Sequence, residues 1–130
     1  MVADVNIKIL LVEDDKNTQD AILLFLQKKG YLVDVVDNLD TAIKKFNPKY
    51  SIVILDILLG NQKSFPLLKK IKEESPDTHV IVITAYDDIE NIEEAKKLKA
   101  DAFIVKPFLI ENLDPILLKK IEEIKRRSLN

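Results

Sequence analysis

Short apolar runs alternate with helix-patterned segments along the whole chain, and this alternation constrains the fold more than any other feature. "IKILLV" (7–12), "SIVIL" (51–55), "HVIVIT" (79–84) and "AFIV" (102–105) are too short for helices and rich in β-branched residues. Runs of this kind suit strands buried on both faces. "YLVDVV" (31–36) alternates enough to be a strand nearer an edge. Each run is followed by a helical pattern after a short connection. The arrangement is (βα)₅, which right-handed crossovers turn into a doubly wound α/β fold: a five-stranded parallel sheet with helices on both faces.

The helical segments carry their own punctuation. "KNTQDAILLFLQKKG" sets Ile22, Phe25 and Leu26 on one face and Gly30 at the C-terminal cap. "LDTAIKKF" (39–46) is stopped by Asn47-Pro48. "FPLLKKIKEE" (65–74) has Ser64 as its cap and Pro66 in its first turn. The segment 88–99 has a thin stripe of Ile92, Ala95 and Leu98, with Ile89 at its start, which predicts the loosest helix of the fold. The last helix offers Leu113, Ile116, Leu117, Ile121 and Ile124. A proline in a helix interior costs about 3 kcal/mol, so this helix is expected to begin at Pro115 with Asp114 as its cap.

Composition narrows the function classes. A chain of 130 residues, 47% hydrophobic, is read as a single domain over 1–130. Twenty Lys+Arg against 22 Asp+Glu give a net charge of −2, which argues against a dedicated nucleic-acid binder. No apolar run approaches the ~20 residues of a membrane span. The N-terminus has no signal-peptide pattern, and a cytoplasmic location is expected. The absence of cysteine excludes thiolate chemistry and disulfides.

The residues just beyond the strands carry the chemistry. Glu13, Asp14 and Asp15 follow the first strand, Asp56 ends the third, Thr84 ends the fourth, and Lys106-Pro107 follow the fifth. In doubly wound sheets the binding crevice lies at these carboxyl ends, where the strand order switches. Glu13, Asp14 and Asp56 brought together repel one another unless a cation intervenes. A few-carboxylate site of this kind suits Mg²⁺, with Mn²⁺ as a substitute. Such a metal binds and neutralises a phosphoryl oxygen. Lys106 can pair with a second phosphoryl oxygen and the Thr84 hydroxyl can donate to a third. Asp56 is then the nucleophile, since carboxylates form aspartyl-phosphates.

Taken together, "KILLVEDD", "IVILDILLG", "VIVITAY" and "AFIVKPF" resemble the receiver domains of two-component response regulators, the CheY-like superfamily, in order and spacing over about residues 6–127. The resemblance implies a flavodoxin-like sheet of strand order 2-1-3-4-5. It implies Asp56 as phosphoacceptor and Glu13 and Asp14 as Mg²⁺ ligands beside Asp56, with the Leu58 carbonyl as a further ligand. Thr84 matches the hydroxyl that turns toward the phosphoryl group, Phe103 the aromatic that follows it, and Lys106 the phosphoryl-binding lysine. The Lys106–Pro107 bond is usually cis in this family. Leu58 and Tyr86 occupy the two positions that tune phosphoryl lifetime. The implied donor is a histidine kinase or histidine phosphotransfer protein. The implied output is a downstream protein or fused output domain, met as a monomer or a phosphorylation-dependent dimer through helix 88–99, the fifth strand and the last helix. The domain itself is expected to touch neither nucleic acid nor membrane.

The chain departs from the family pattern in places. Gly60 and Ser64 stand where Pro and Gly are usual, Lys63 where an Asp or Asn is common, and Lys99 where a Gly precedes the fifth strand. A left-handed backbone at Lys99 would carry strain. Asp15 reads as the first helix's cap, Asp37 as a turn residue and His79 as a surface residue. Two other functions compete with the switch. A phosphorylation-independent interaction module usually lacks one of the acidic residues or the lysine, all of which are kept here. An Asp-nucleophile phosphatase needs a second Asp where Leu58 stands.

Overall fold

The computed structural model describes residues 7–85, 88–107 and 109–129. Five parallel strands, β1 (Lys8–Val12), β2 (Leu32–Val36), β3 (Ile52–Asp56), β6 (His79–Thr84) and β7 (Ala102–Val105), form one sheet of order β2-β1-β3-β6-β7. In the order of these five strands that is 2-1-3-4-5, as the resemblance implied. Two further short strands, β4 (Leu58–Leu59) and β5 (Gln62–Lys63), make an antiparallel hairpin of their own. The helices are α1 (Lys16–Lys28), α2 (Leu39–Lys45), α3 (Phe65–Glu74), α4 (Ile89–Lys97) and α5 (Leu109–Ser128).

The two-residue period of a strand sorts the apolar runs into two cores. Leu10, Val12, Val53, Leu55, Val80 and Val82 face α2, α3 and α4, where Ala42, Leu67, Leu68, Ile71 and Ala95 meet them. Ile9, Leu11, Ile52, Ile54, Ile81 and Ile83 face α1 and α5, where Ile22, Leu26, Leu113, Leu117 and Ile121 meet them. A central strand must therefore be apolar at every position, which explains the continuous runs. β2 and β7 are the edge strands, and Leu32 at the start of β2 is exposed.

Helix ends follow the sequence in most places. Asp15 caps α1, its side chain accepting from Thr18 N at 2.9 Å and from the Thr18 hydroxyl at 2.7 Å. Gly30 (φ 89) closes α1, with Gly30 N–H donating to Gln27 and Tyr31 N–H to Leu26, the two bonds of a Schellman motif. The end of α4 repeats the motif with a lysine. Lys99 N–H donates to Lys96 and Ala100 N–H to Ala95, and Lys99 has φ 71. The strained backbone expected at Lys99 is present. α4 buries only Asn91 and Ala95, and Ile89 is exposed, so its stripe is as thin as its sequence.

Three expectations are corrected. α5 does not start at Pro115 but runs through it from Leu109, with Pro115 inside the helix. Leu113 and Leu117 are buried one turn apart on either side of the proline, and this shared packing outweighs the missing backbone hydrogen bond. Asp114 pairs with Lys29 at 3.3 Å instead of capping. Ser64 sits at the N-cap position of α3 but makes no capping bond; its hydroxyl donates to the Asp56 carbonyl at 2.7 Å. His79 is not on the surface. It is buried at 5% exposure, because β6 is a central strand covered on both sides.

Candidate functional site

Glu13, Asp14, Asp56, Thr84 and Lys106 converge at the carboxyl ends of β1, β3, β6 and β7, beside the β1–β3 pair where the strand order reverses. Register accounts for the arrangement. Val12 pairs with Leu55, so Glu13 and Asp56 come out at the same level. Asp56 pairs with Ile83, and Thr84 with Val105, which sets Thr84 one residue beyond the level of Asp56 and Lys106 one beyond Thr84. Lys106 N–H donates to the Thr84 carbonyl at 3.0 Å. A pocket of about 280 Å³ opens here, lined by Asp14, Asp56, Leu58, Gly60, Thr84 and Lys106 among others.

The charges are close and only partly balanced. Asp56 is 5% exposed and its Oδ2 accepts from Lys106 Nζ at 2.9 Å. Its Oδ1 accepts the Leu58 N–H at 3.1 Å. Glu13 is fully buried; its Oε2 accepts Asp15 N–H at 2.9 Å. Its Oε1 lies 3.4 Å from Lys106 Nζ and has no hydrogen-bond partner among the described residues. Burial, with the neighbouring Asp56, pushes Glu13 up to about 7, against the opposing pull of the Asp15 N–H and Lys106. Burial works to lower Lys106, but Asp56 and then Glu13 hold its ammonium above the usual range.

Glu13, Asp14 and Asp56 each bring a carboxylate oxygen to within 4.8 Å of the others. Two of the three carboxylates, Glu13 and Asp56, share the Lys106 ammonium, and one buried Glu13 oxygen is unsatisfied. An all-oxygen, hard donor set with excess negative charge fits a divalent cation such as Mg²⁺.

Other expected residues take the following places. The Lys106–Pro107 peptide is cis. The Thr84 hydroxyl is buried and donates to the Ala85 carbonyl at 3.3 Å. Phe103 is partly buried against the α2–α4 core, with Lys96 Nζ of α4 at 5.9 Å from its ring centre. Leu58 is 49% exposed at the pocket rim. Tyr86 lies outside the described residues.

Sequence reasoning missed three participants. Asp88, the N-cap of α4, also lines the pocket, and its carboxylate is held by Asn91. Its position just after β6 was the available signal. Gln19 donates to the Glu13 carbonyl at 2.6 Å and steadies the acidic turn. Gly60, at the turn of the β4–β5 hairpin, donates its N–H to Asp14 Oδ2 at 2.7 Å. The dipeptide Gly60-Asn61 between two short strands was a hairpin signal that the strands' brevity hid.

Comparison with known proteins gives this geometry its family. The model of the response regulator receiver domain matches residues 9–118. The chain is 36% identical over 124 residues to the regulatory protein VanRB of Enterococcus faecalis, covering 95% of this chain and 54% of that protein. It is 30% identical over 122 residues to the transcriptional regulatory protein CiaR of Streptococcus pneumoniae, covering 94% and 53%. The chain thus spans about half the length of these relatives. Among solved structures, the BeF₃-activated receiver domain of DrrB, a Thermotoga maritima OmpR/PhoB homologue, superposes with a TM-score of 0.82 at 27% identity, over 91% of this chain and 99% of that one. A sheet of order 2-1-3-4-5 with an acidic cluster and a lysine at its switch point, and a family match across most of its length, mean that the chain belongs to the response regulator receiver domains of two-component systems.

Proposed function

We propose that this domain accepts a phosphoryl group on Asp56 from a phosphohistidine of a histidine kinase or phosphotransfer protein, and that the phosphorylated form changes what the domain binds. The observation that carries the reading is the Lys106–Asp56 contact at 2.9 Å beside the three clustered carboxylates. Glu13, Asp14 and Asp56 would hold Mg²⁺, with the Leu58 carbonyl as a further ligand. An ion held there would neutralise charge on the phosphoryl oxygens. One Asp56 oxygen attacks phosphorus as the P–N bond to the imidazole breaks. The imidazole, carrying a proton on its other ring nitrogen, leaves with the electron pair of the P–N bond as neutral imidazole. Lys106 follows the phosphoryl oxygens that arrive where Asp56 Oδ2 now sits.

The readout begins at Thr84. Its hydroxyl makes only a 3.3 Å bond to the next carbonyl, a weak tie to exchange for a phosphoryl oxygen. Phe103 then follows, and through its contact with Lys96 the movement reaches α4, the most thinly anchored helix. On this reading the domain is a signalling switch and not an enzyme acting on a separate substrate, and its partners are the donor kinase and a downstream protein or output domain. Leu58 and Tyr86 set a long phosphoryl lifetime, because Leu58 offers no group to orient an attacking water. Leu58→Asn is expected to speed loss of the phosphoryl group several-fold, read as decay of the phosphorylated mass after donor removal; an unchanged rate refutes this role.

Acetyl phosphate with Mg²⁺, followed by intact mass, tests the main reading. One phosphoryl unit should add to the wild-type chain and none to Asp56→Asn. No addition to the wild type leaves a phosphorylation-independent interaction module in its place.

A further inference from the structure

The segment between β3 and α3 departs most from the family pattern, and it turns out to touch both aspartates of the site. Gly60 stands where a proline is usual. A proline there has no N–H to give. Here Gly60 takes φ 62 at the first turn position of the β4–β5 hairpin, a conformation a glycine adopts freely. The hairpin closes through the pairs Leu58–Lys63 and Leu59–Gln62. Its base is fixed by Ser64, whose hydroxyl donates to the Asp56 carbonyl and whose N–H donates to Ile57, each at 2.7 Å. Its tip therefore presents the Gly60 N–H from a closed frame.

That N–H meets the least constrained of the three carboxylates. Glu13 and Asp56 are buried, whereas Asp14 is exposed. The bond from Gly60, 46 residues away, is the only hydrogen bond of the Asp14 side chain among the described residues. We propose that Gly60 is a positioning residue of the metal site: its N–H holds the Asp14 carboxylate within reach of Glu13 and Asp56, so the hairpin helps to set the affinity for Mg²⁺. This inference rests on the phosphotransfer reading above. The Leu58 N–H holds Asp56 Oδ1 from the same hairpin, so one small element steadies both aspartates. Metal uptake and hairpin closure then stabilise each other, as linked equilibria must.

Exchange of the Gly60 amide, compared with Asp14→Ala, isolates the donor, and two variants at Gly60 bracket the turn. Because its ring fixes φ at about −65°, Gly60→Pro opens the turn as well as removing the N–H. Gly60→Ala keeps it, and a Cβ there meets nothing within 4 Å, leaving only the backbone cost of a positive φ. Calorimetric titration of the whole chain with Mg²⁺ is expected to give a Kd about tenfold weaker for Gly60→Pro and within about threefold of wild type for Gly60→Ala. In the metal-free protein, amide exchange at Gly60 should be slow in the wild type, fast in Asp14→Ala, and slower still in the wild type once Mg²⁺ is added. An unchanged Kd in Gly60→Pro, equal losses in both variants, or a Gly60 amide indifferent to Asp14 each overturn the inference. Should Gly60→Pro fail to fold, the amide measurement decides alone. A wild-type chain that takes up no Mg²⁺ overturns the phosphotransfer reading and this inference with it; a metal-binding wild type with an insensitive Gly60→Pro overturns this inference only.

Discussion

Each end of the central sheet buries a small set of charges, and the two ends handle them in opposite ways. At the carboxyl end Glu13 and Asp56 share one lysine beside Asp14, and Glu13 keeps an unsatisfied buried oxygen. At the amino end Asp101 finds protein partners for one carboxylate oxygen. Its Oδ2 accepts the Val80 N–H at 2.7 Å and pairs with Lys72 at 2.6 Å, and Lys72 also donates to the Thr78 carbonyl at 2.7 Å. His79 lies buried beside it, 3.9 Å from Asp101 and 3.7 Å from Glu123, and burial lowers its pKa. The amino end pairs its aspartate and lysine with protein groups, and what it leaves without a hydrogen-bond partner among the described residues is the buried His79 ring, not a carboxylate. The carboxyl end has more negative charge than partners, and a pocket beside it. An unbalanced buried cluster at a strand switch point, and not burial of charge as such, is what separates a site from a staple.

The contrast can be broken by mutation. The largest effect is expected at the amino end. Asp101→Ala strands both the Val80 N–H and Lys72 and should cost about 3 kcal/mol in urea unfolding, while Mg²⁺ affinity stays within about twofold. A small loss would mean that this end is no staple. At the carboxyl end the sign reverses. Glu13→Gln relieves repulsion and should stabilise the metal-free chain by roughly 1 kcal/mol, while abolishing most of the added stability that Mg²⁺ gives the wild type. Thermal melts with and without Mg²⁺ read both.

Acidity sharpens the same comparison. Glu13 in the folded chain is raised to about 7 from 4.5, so the fold binds this proton more tightly than the unfolded chain does. Its contribution is present at low pH and is lost as the pH rises from about 4.5 through about 7. His79 is lowered from 6.5, so its contribution is present above pH 6.5 and is lost below it. Metal-free stability should therefore still be falling as the pH rises from 6.5 through about 7, where Glu13 alone of this pair titrates. Saturating Mg²⁺ should remove that fall, and a pH-independent melt in the metal-free chain would contradict the picture. The smallest effect belongs to the amino-end cap. Lys99→Gly removes left-handed strain and should stabilise by about 0.5–1 kcal/mol in the same melts, with phosphorylation of Asp56 unchanged.

The carboxyl-end residues were legible because each follows directly on an apolar run, and the strand period carries them to one edge. The same runs hid other things. His79 reads as a surface residue because it opens a run beside Asp77 and Thr78, yet β6 is central and covers its first residue as fully as its last. Ser64 reads as a helix cap from local spacing alone, but the hairpin before it turns its hydroxyl back to β3. The hairpin itself was illegible in detail, since strands of two residues leave no periodicity to detect. Asp88 reads as the first residue of a helix, and only the folded arrangement, which brings it to the same pocket as Asp56, makes it a wall of the site.

The proline inside α5 has a consequence for how this molecule opens. Pro115 gives no amide proton, so the carbonyl one turn earlier, at Glu111, lacks its helical partner. The helix is therefore two cooperative stretches laid end to end. The short stretch before the proline follows directly on the strand end that carries Lys106, and is pinned by buried Leu113 and by the Asp114–Lys29 pair. The long stretch beyond it is pinned by Leu117 and Ile121. Amide exchange should show a step at this seam, with faster exchange on the side nearest the pocket. The end of the helix nearest Lys106 can then fray and re-form on its own while the rest of α5 stays folded.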